Sequence, residues 1–264
     1  MTWICAASTF FGYGVLYPDV PVTLHDGTTK DLLQKAYPLS NFIAAGFAGS
    51  VRIGFMLLQS LADFLALPQE ALNRFAWHPG WVATQWGPIA KSVFEQAPEE
   101  ERVLGSRFLL VGVSPDEDAG FGAKVYFARF SEPYFRPGIM TRPHKFCSIG
   151  SGAGVSAYKR RLKPLLRVGS RIHQSEVGRQ NGWAVEIGAS LSRAVVNNPK
   201  DGISRHFHII VVRRGSILIG NNDENIYSPN GSCLEIRMPP VAQSYAQFEA
   251  MAQAEKFKVA GAVC

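Results

Sequence analysis

The segment Asn41–Ser50 has the sequence NFIAAGFAGS, and the interpretation of the whole chain starts from it. Its first part, Phe42–Phe47, is an apolar run that predicts a fully buried strand. Gly49 and Ser50 then begin a pattern in which apolar residues recur at steps of three and four, typical of an amphipathic helix that ends before Pro68. The residues of this pattern are Val51, Phe55, Leu58, Leu61, Ala62 and Leu65. We therefore expect a buried strand that turns directly into a helix at Gly49-Ser50.

Strands are also predicted on the N-terminal side of this segment. Trp3–Ser8 is a compact apolar run, and Phe10–Tyr17 follows it after a short break. His25-Asp26-Gly27 is a hairpin turn signal between Val20–Leu24 and the polar stretch that follows. The first forty residues therefore predict β-structure.

The C-terminal side alternates between helical and strand-like segments. Helices are expected at Pro68–Ala76, at Ile89–Gln96, after Gly150-Ser151-Gly152 through about Leu162, at Gly182–Val196 and near Ala242–Ala254. The first two are separated by an irregular segment that contains Trp81 and Trp86. Strands are expected at Arg107–Val113, Ala123–Phe130, Lys145–Ile149, Phe207–Val212, Ser216–Gly220 and Glu235–Met238. This order predicts one α+β domain over residues 1–264, with two sheets covered by helices.

The composition is that of an ordinary globular protein, with 264 residues, 47% of them apolar and 18% charged. Apolar runs such as Phe42–Ala48 are too short to span a bilayer, and the start of the chain lacks the basic region and cleavage site of a signal peptide. The four cysteines, Cys5, Cys147, Cys233 and Cys264, lack the spacing of a zinc site or a disulfide framework. We therefore expect a cytoplasmic protein with no membrane partner, metal or other cofactor.

The net charge of +6 comes partly from one basic cluster. Its members are Lys159, Arg160, Arg161, Lys163, Arg167 and Arg171. A solvated helix face is the simplest interpretation. No aromatic residues are interleaved with these cations, so nucleic-acid binding is not predicted. An acidic partner or a neighbouring subunit stays open as an alternative.

Thr2 is the first candidate for chemistry. Removal of Met1 would leave Thr2 with a free α-amino group. A hydroxyl beside an amine with a pKa of about 8 forms a self-contained nucleophile and base. This feature alone is weak, because many cytosolic proteins begin with Met-Thr.

The spacing of residues downstream of Thr2 strengthens the candidate. Asp19 follows the second predicted strand, Lys35 lies sixteen residues later, and Gly49 comes fourteen residues after that. With Asn41–Ser50, this arrangement resembles the β-subunits of the proteasome and the related bacterial HslV protease, in which a catalytic Thr is followed by an Asp and a Lys at the same mutual spacing.

The resemblance resumes in the second half of the chain. Ile149–Gly152 resembles the Gly-Ser-Gly segment of that family at the strand–helix junction facing the nucleophile. Asp201-Gly202-Ile203-Ser204 resembles its Asp-x-x-Ser motif. The resemblance covers about residues 2–66 and 107–220. It implies the four-layer αββα sandwich of N-terminal nucleophile hydrolases.

The resemblance also implies a role for each matched residue. Thr2 would attack the amide carbonyl, with Lys35 lowering the energy of the developing alkoxide and Asp19 orienting Lys35. The backbone N–H of Gly49 would stabilise the oxyanion. The residues expected to hydrogen-bond the N-terminal amine are Ser151, Asp201 and Ser204. Three residues are expected to bind substrate. Thr23 would pair with the substrate backbone, and Phe47 and Val51 would line an apolar pocket for modest apolar P1 residues.

The implied function is a threonine-type peptidase or amidohydrolase that forms an acyl-enzyme. Its substrates would be peptides or unfolded proteins. A homo-oligomeric ring would hide Thr2 from folded proteins, and an ATPase partner of this ring stays open. No metal or other cofactor is needed for this chemistry. A small-amide amidohydrolase of the same fold is a further alternative.

The chain also departs from the family pattern. Trp3 stands where a small or β-branched residue is usual, and Asp19-Val20-Pro21 replaces a common Asp-x-Arg. One extra residue separates Thr2 from Asp19, and insertions are expected near residues 67–106 and 163–181. These differences indicate a divergent bacterial member and leave open a catalytically silent subunit that acts as scaffold or regulator.

Each matched residue also has a plain structural interpretation. Asp19 lies between two prolines, as a turn residue often does, and Lys35 after Asp31-Leu-Leu-Gln resembles one turn of a solvated helix. Gly49 could serve only close packing, and Asp201 is a typical loop residue. His206 and His208 are two apart on a predicted strand, but a third metal ligand is missing.

Overall fold

The computed structural model of the chain describes residues 2–8, 11–24, 26–66, 78–118, 122–142, 145–166, 182–227 and 232–261. Fourteen strands run β1 (Trp3–Ser8), β2 (Gly14–Pro18), β3 (Pro21–Thr23), β4 (Thr29–Asp31), β5 (Ala36–Pro38), β6 (Ile43–Gly49), β7 (Ser106–Asp118), β8 (Ala123–Ser131), β9 (Gly138–Met140), β10 (Phe146–Gly150), β11 (His208–Arg213), β12 (Ser216–Asn221), β13 (Glu224–Tyr227) and β14 (Cys233–Ile236) in this described part. The helices there are α1 (Val51–Ala66), α2 (Pro79–Gln96), α3 (Glu99–Arg102), α4 (Ser156–Leu162), α5 (Gly182–Asn197) and α6 (Tyr245–Gly261), with a 3-10 turn at Ser151–Gly154.

Two antiparallel sheets of five strands form the centre of the molecule. The first sheet has the strand order β10-β1-β2-β11-β12, and the second has the order β5-β6-β7-β8-β9. Two short hairpins, β3–β4 and β13–β14, lie outside these sheets. The protein is therefore a mixed α+β fold, as the order of predicted elements indicated.

The burial of β1 shows how the sheets are covered. All six residues of Trp3–Ser8 are buried, although a strand exposed on one face would alternate between buried and exposed residues. Trp3, Cys5 and Ala7 belong to a core cluster with side chains of α4 and α5. Ile4 and Ala6 belong to another cluster, with side chains of β6, β7 and β8 from the second sheet. Both faces of the first sheet are therefore packed at β1.

A third core cluster covers the other face of the second sheet. It joins side chains of β6, β7 and β8 to those of α1 and α2. Phe47 and Phe108 come from the strands, and Leu57, Leu61 and Trp86 from the helices. The helical spacing predicted for residues 51–65 is confirmed, because its apolar residues face this cluster or its margin.

Most predicted elements are confirmed, with boundary shifts of a few residues. The strand expected at Phe10–Tyr17 begins only at Gly14, and the hairpin at Asp26-Gly27 joins β3 to β4. The three-residue strands β5 and β9 were not predicted. The helix expected at Pro68–Ala76 lies outside the described residues.

The irregular segment expected around Trp81 and Trp86 is wrong, because α2 is continuous from Pro79 to Gln96. His78 caps this helix by accepting a hydrogen bond from the backbone N–H of Trp81 through Nδ1 at 3.3 Å. Pro79 suits the first turn, where its missing N–H needs no partner. Trp86 is buried against Phe108 and Phe130. Tertiary packing thus outweighs the helix-breaking tendency of Pro88 inside the helix.

No helix within the described ranges combines the length and the apolar character that crossing a membrane requires.

Candidate active site

A cleft of about 440 Å³ opens at the N-terminus of β1 and the junction of β6 with α1. We call it the Thr2 cleft. Seven residues singled out from the sequence line it, namely Thr2, Thr23, Lys35, Phe47, Gly49, Val51 and Ser151. The structure therefore brings together residues that are up to 149 positions apart in the chain.

Thr2, Lys35 and Asp19 form a chain of polar contacts in this cleft. Lys35 Nζ donates a hydrogen bond to Thr2 Oγ1 at 2.9 Å and forms an ion pair with Asp19 Oδ1 at 3.2 Å. It also donates to the backbone carbonyl of Pro21. Lys35 is 2% exposed and Asp19 is fully buried, so the ammonium interacts with these groups in place of bulk water. An ammonium held against a hydroxyl in this way favours the hydroxyl's ionised form.

Backbone hydrogen bonds fix the segment that carries Lys35. The N–H of Phe47 donates to the carbonyl of Lys35 at 3.0 Å, and the N–H of Leu33 donates to the carbonyl of Val20 at 3.1 Å. The segment is extended between β4 and β5, so the solvated helical turn considered for Lys35 is wrong. Asp19 forms an isolated bridge with Phe207 and donates its N–H to the carbonyl of Trp3 at 3.0 Å. Asp19 is consequently part of the packed interior beside the first sheet.

Burial shifts the pKa values of Asp19 and Lys35 in the directions that favour the neutral form of each group. It raises the pKa of Asp19 to about 6, although the charge of Lys35 acts in the opposite direction. Among the described residues, Asp19 Oδ2 has no hydrogen-bond partner, which is consistent with this direction. Burial likewise lowers the pKa of Lys35, while the negative charges of Asp19 and Asp31 raise it. At neutral pH, a carboxyl with a pKa of about 6 is ionised and can hold Lys35 as an ammonium.

The raised pKa of Asp19 predicts how pH changes its contribution to stability. Because the folded state binds the proton more tightly than the unfolded state, the stabilisation is present at low pH and is lost as pH rises through about 6. We expect the unfolding free energy of the native protein, minus that of Asp19→Asn, to fall by about 1 kcal/mol between pH 5 and pH 7. Urea unfolding at several pH values measures this difference. A difference that rises over that range would contradict a raised pKa.

Ser151 holds the backbone of Thr2 from the neighbouring strand. The backbone N–H of Thr2 donates to Ser151 Oγ at 3.2 Å, and the N–H of Ser151 donates to the carbonyl of Thr2 at 2.8 Å. Gly150 makes this approach feasible, because it has φ +85° and a Cβ there would lie 2.0 Å from the Thr2 carbonyl oxygen. Only glycine adopts this conformation at this distance without strain.

Gly49 ends β6 at the edge of the cleft, one residue before the cap of α1. Its φ of +107° and the closeness of the Gly105 carbonyl, 2.2 Å from an ideal Cβ, exclude larger residues. Ser50 caps α1 by accepting a hydrogen bond from the N–H of Ile53 at 3.0 Å. The positive end of the α1 dipole therefore lies at the Thr2 cleft, where it favours negative charge.

The three residues expected to bind substrate take different positions in the cleft. Thr23 ends β3 and is exposed, whereas Val51, the first residue of α1, is half-buried. Phe47 is 1% exposed and packs against Gly54, where a Cβ would lie 2.1 Å from the ring. Its ring therefore fills the floor of the cleft.

Among the described residues, Ser151 contacts the nitrogen of Thr2, and no such contact is seen for Asp201 or Ser204. Asp201 is exposed in a turn. Ser204 Oγ donates to Asp31 Oδ2 at 2.8 Å and lies 3.0 Å from His206 Nδ1. His206 Nδ1 also lies 2.7 Å from Asp31 Oδ2. The contacts that the described residues show for Ser204 thus go to Asp31 and His206, because the connection before β11 runs beside the end of β4.

Asp31 was not selected from the sequence, and His206 was considered only as a metal ligand together with His208. The contact between Asp31 and His206 joins positions 175 apart, and no local pattern marks such a pair. His208 instead contacts Asn221 Oδ1 through Nδ1 at 3.0 Å. Within the described ranges, no group of three or more His, Cys, Asp or Glu residues is arranged to hold a metal ion.

No protein-family model and no curated protein matches the chain in sequence comparisons.

Proposed function

We propose that this protein is a threonine-type N-terminal nucleophile hydrolase that cleaves amide bonds through an acyl-enzyme on Thr2. The observation that carries the proposal is the position of Lys35 Nζ, which lies 2.9 Å from Thr2 Oγ1 and 3.2 Å from Asp19 Oδ1 in a buried site beside an open cleft. A buried lysine that only balanced Asp19 would not need to contact a cleft-lining hydroxyl. The proposal requires that processing frees the amine of Thr2.

The reaction begins when Thr2 Oγ1 attacks the carbonyl carbon of the substrate amide. The freed amine of Thr2 accepts the hydroxyl proton, and Lys35 stabilises the developing negative charge on the oxygen. The carbonyl oxygen becomes an oxyanion, for which the N–H of Gly49 at the start of α1 is the candidate donor. Transfer of the proton to the leaving nitrogen breaks the C–N bond and leaves an ester on Thr2. Water then hydrolyses the ester and restores the hydroxyl.

Ser151 is the candidate residue for orienting the Thr2 amine in this scheme. Its Oγ already accepts a hydrogen bond from the Thr2 nitrogen at 3.2 Å. An acceptor at that distance leaves the amine lone pair free to turn towards Oγ1 when the amine is neutral. The roles of Asp201 and Ser204 beside the amine rest on the family resemblance alone, since the described contacts of Ser204 go to Asp31 and His206.

The proposal extends to the architecture and the setting of the enzyme. The packing of helices against the outer faces of two facing sheets supports the αββα sandwich of the proteasome-like family. A cytoplasmic homo-oligomeric ring that admits peptides or unfolded proteins, with or without an ATPase partner, belongs to the same proposal. Phe47 and Val51 support a preference for modest apolar P1 residues.

The test combines the N-terminal mass with labelling by an epoxyketone, which reacts with a hydroxyl and a free amine on the same residue. We expect a mature chain that begins at Thr2 and a single adduct on its first tryptic peptide. Cys233 is exposed, so it is first blocked with iodoacetamide to exclude a thiol adduct. Material that begins at Thr2 but takes up no probe would contradict the proposal and support the silent scaffold instead.

A further inference from the structure

A second cleft lies where the two five-stranded sheets present neighbouring edges. Here β10 is the edge of the first sheet and β9 is the edge of the second. The cleft has a volume of about 620 Å³, within the range of ligand-binding clefts. Apolar side chains of β9, β10 and α4 form its floor, and they include Met140, Phe146 and Leu162. We call it the β9–β10 cleft.

Four cations line the β9–β10 cleft. Arg129 comes from β8 and Lys145 immediately precedes β10, whereas Lys159 lies on α4 and Lys163 is the residue directly after α4. All four are exposed, no carboxylate is among the described residues that line the cleft, and the described residues show no ion pair for any of the four. Like charges brought together from three parts of the chain repel one another, and an anionic occupant would offset this repulsion.

The edge of β10 also presents backbone groups that pair with no further strand in the described part of the chain. The N–H of Ser8 donates to the carbonyl of Lys145, and the N–H of Ser151 donates to the carbonyl of Thr2. In the antiparallel pairing of β1 with β10, alternate residues bond across the ladder. The backbone groups of Phe146 and Ser148 therefore point away from β1, towards the side where the described part of the chain places no further strand.

We propose that the β9–β10 cleft binds an extended acidic segment of a partner protein, which adds to β10 as a further strand. The outward backbone groups of Phe146 and Ser148 would pair with the peptide backbone. Acidic side chains of the peptide would meet the four cations, and small apolar side chains at alternate positions would cover Met140 and Leu162. This site is separate from the Thr2 cleft, and it stands whether or not Thr2 is a nucleophile.

An extended peptide fits these observations better than a nucleic acid. Phosphates would neutralise the cations, but they would leave the edge of β10 unpaired. Lysines beside an edge strand can also simply prevent association with other strands. These two interpretations predict different binding behaviour, so an experiment can separate them from the proposal.

The first arm measures binding of a fluorescein-labelled octapeptide with alternating Glu and Val, by fluorescence anisotropy. We expect saturable binding that weakens with salt, and no binding of the matching Lys–Val peptide. Two N-methylated versions of the acidic peptide block alternate backbone N–H groups, one set in each. Since only one edge of an added strand faces β10, one version should bind at least about tenfold more weakly and the other about as well as the parent.

The second arm compares two charge reversals within Lys159–Lys163, at the C-terminal end of α4. Lys159→Glu/Lys163→Glu removes two cleft cations and should weaken the acidic peptide at least about tenfold, because attraction becomes repulsion. Arg160→Glu/Arg161→Glu changes the net charge equally, on exposed residues that do not line the cleft. It should change the affinity by less than about twofold at moderate salt.

Three results would overturn the proposal. If the acidic peptide does not bind, the lysines serve only to keep other strands from pairing with the edge of β10. Equal binding of both N-methylated versions would show that the β10 backbone takes no part. A single-stranded oligonucleotide that binds as tightly as the peptide, with the same dependence on Lys159 and Lys163, would assign the cleft to nucleic acid.

Discussion

Hydrolysis of a fluorogenic peptide is expected to fall by at least about 10⁴-fold when Thr2 is replaced by alanine, because this removes the proposed nucleophile and with it the covalent route. The substitution leaves the backbone contacts between residue 2 and Ser151 in place. It removes the hydroxyl that accepts from Lys35 Nζ. The unfolding free energy should therefore change by only about 1 kcal/mol, the typical value of one hydrogen bond. Steady-state kinetics and urea unfolding of the same preparation measure both effects.

Thr2→Ser is the matched control for this substitution. Serine keeps the hydroxyl and, after processing, the amine, so it should retain measurable hydrolysis and the epoxyketone adduct. If Thr2→Ala instead hydrolyses the peptide at the native rate, Thr2 is not the nucleophile. The contact between Lys35 and Thr2 would then be structural.

Replacement of Lys35 with methionine should destabilise the protein by about 3–5 kcal/mol at pH 7, because it leaves a buried carboxylate without its partner. Asp19 is fully buried, and its pKa is already raised by burial. Protonation of Asp19 removes the unpaired charge, so the loss of unfolding free energy in Lys35→Met should be smaller at pH 5 than at pH 7. Hydrolysis should also fall sharply, since Thr2 Oγ1 loses its cationic neighbour. Thermal and urea unfolding at both pH values measure the effect.

Two further variants make this prediction specific. Lys35→Met/Asp19→Asn removes the unpaired charge and should recover part of the lost stability, which a double-mutant cycle quantifies. Lys91→Met breaks an exposed pair with Glu95 and should change the unfolding free energy by less than about 0.5 kcal/mol. Equal losses for Lys35→Met and Lys91→Met would mean that the buried pair contributes no more than a surface pair.

Local patterns in the sequence were sufficient for much of the fold. The apolar run Phe42–Phe47 indicated the buried strand β6, and the spacing of apolar residues in α1 indicated a helix with one buried side. The local signals failed where tertiary contacts decide. The burial of Trp86 stabilises α2 across a segment rich in Pro, Gly and Trp, where the local sequence does not favour a helix.

The candidate site shows the same division. Asp31-Leu-Leu-Gln-Lys35 has the local pattern of a solvated helix, so the burial of Lys35 beside Thr2 followed only from the family resemblance. The link between Asp31 and His206 depends on how distant segments pack. Likewise, the sequence showed the basic cluster that includes Lys159 and Lys163, but not that Arg129 and Lys145 join these two lysines at the same cleft.

The close fit of Phe47 against Gly54 has an evolutionary consequence. Since a Cβ at position 54 would enter the ring of Phe47, any larger residue at 54 demands a smaller one at 47, so the two positions should covary among descendants of this sequence. Such a paired exchange would deepen or fill the floor of the Thr2 cleft while leaving Lys35 and Asp19 untouched. Under the proposed function, such exchanges would alter which substrates the cleft admits without altering the groups that carry out the reaction.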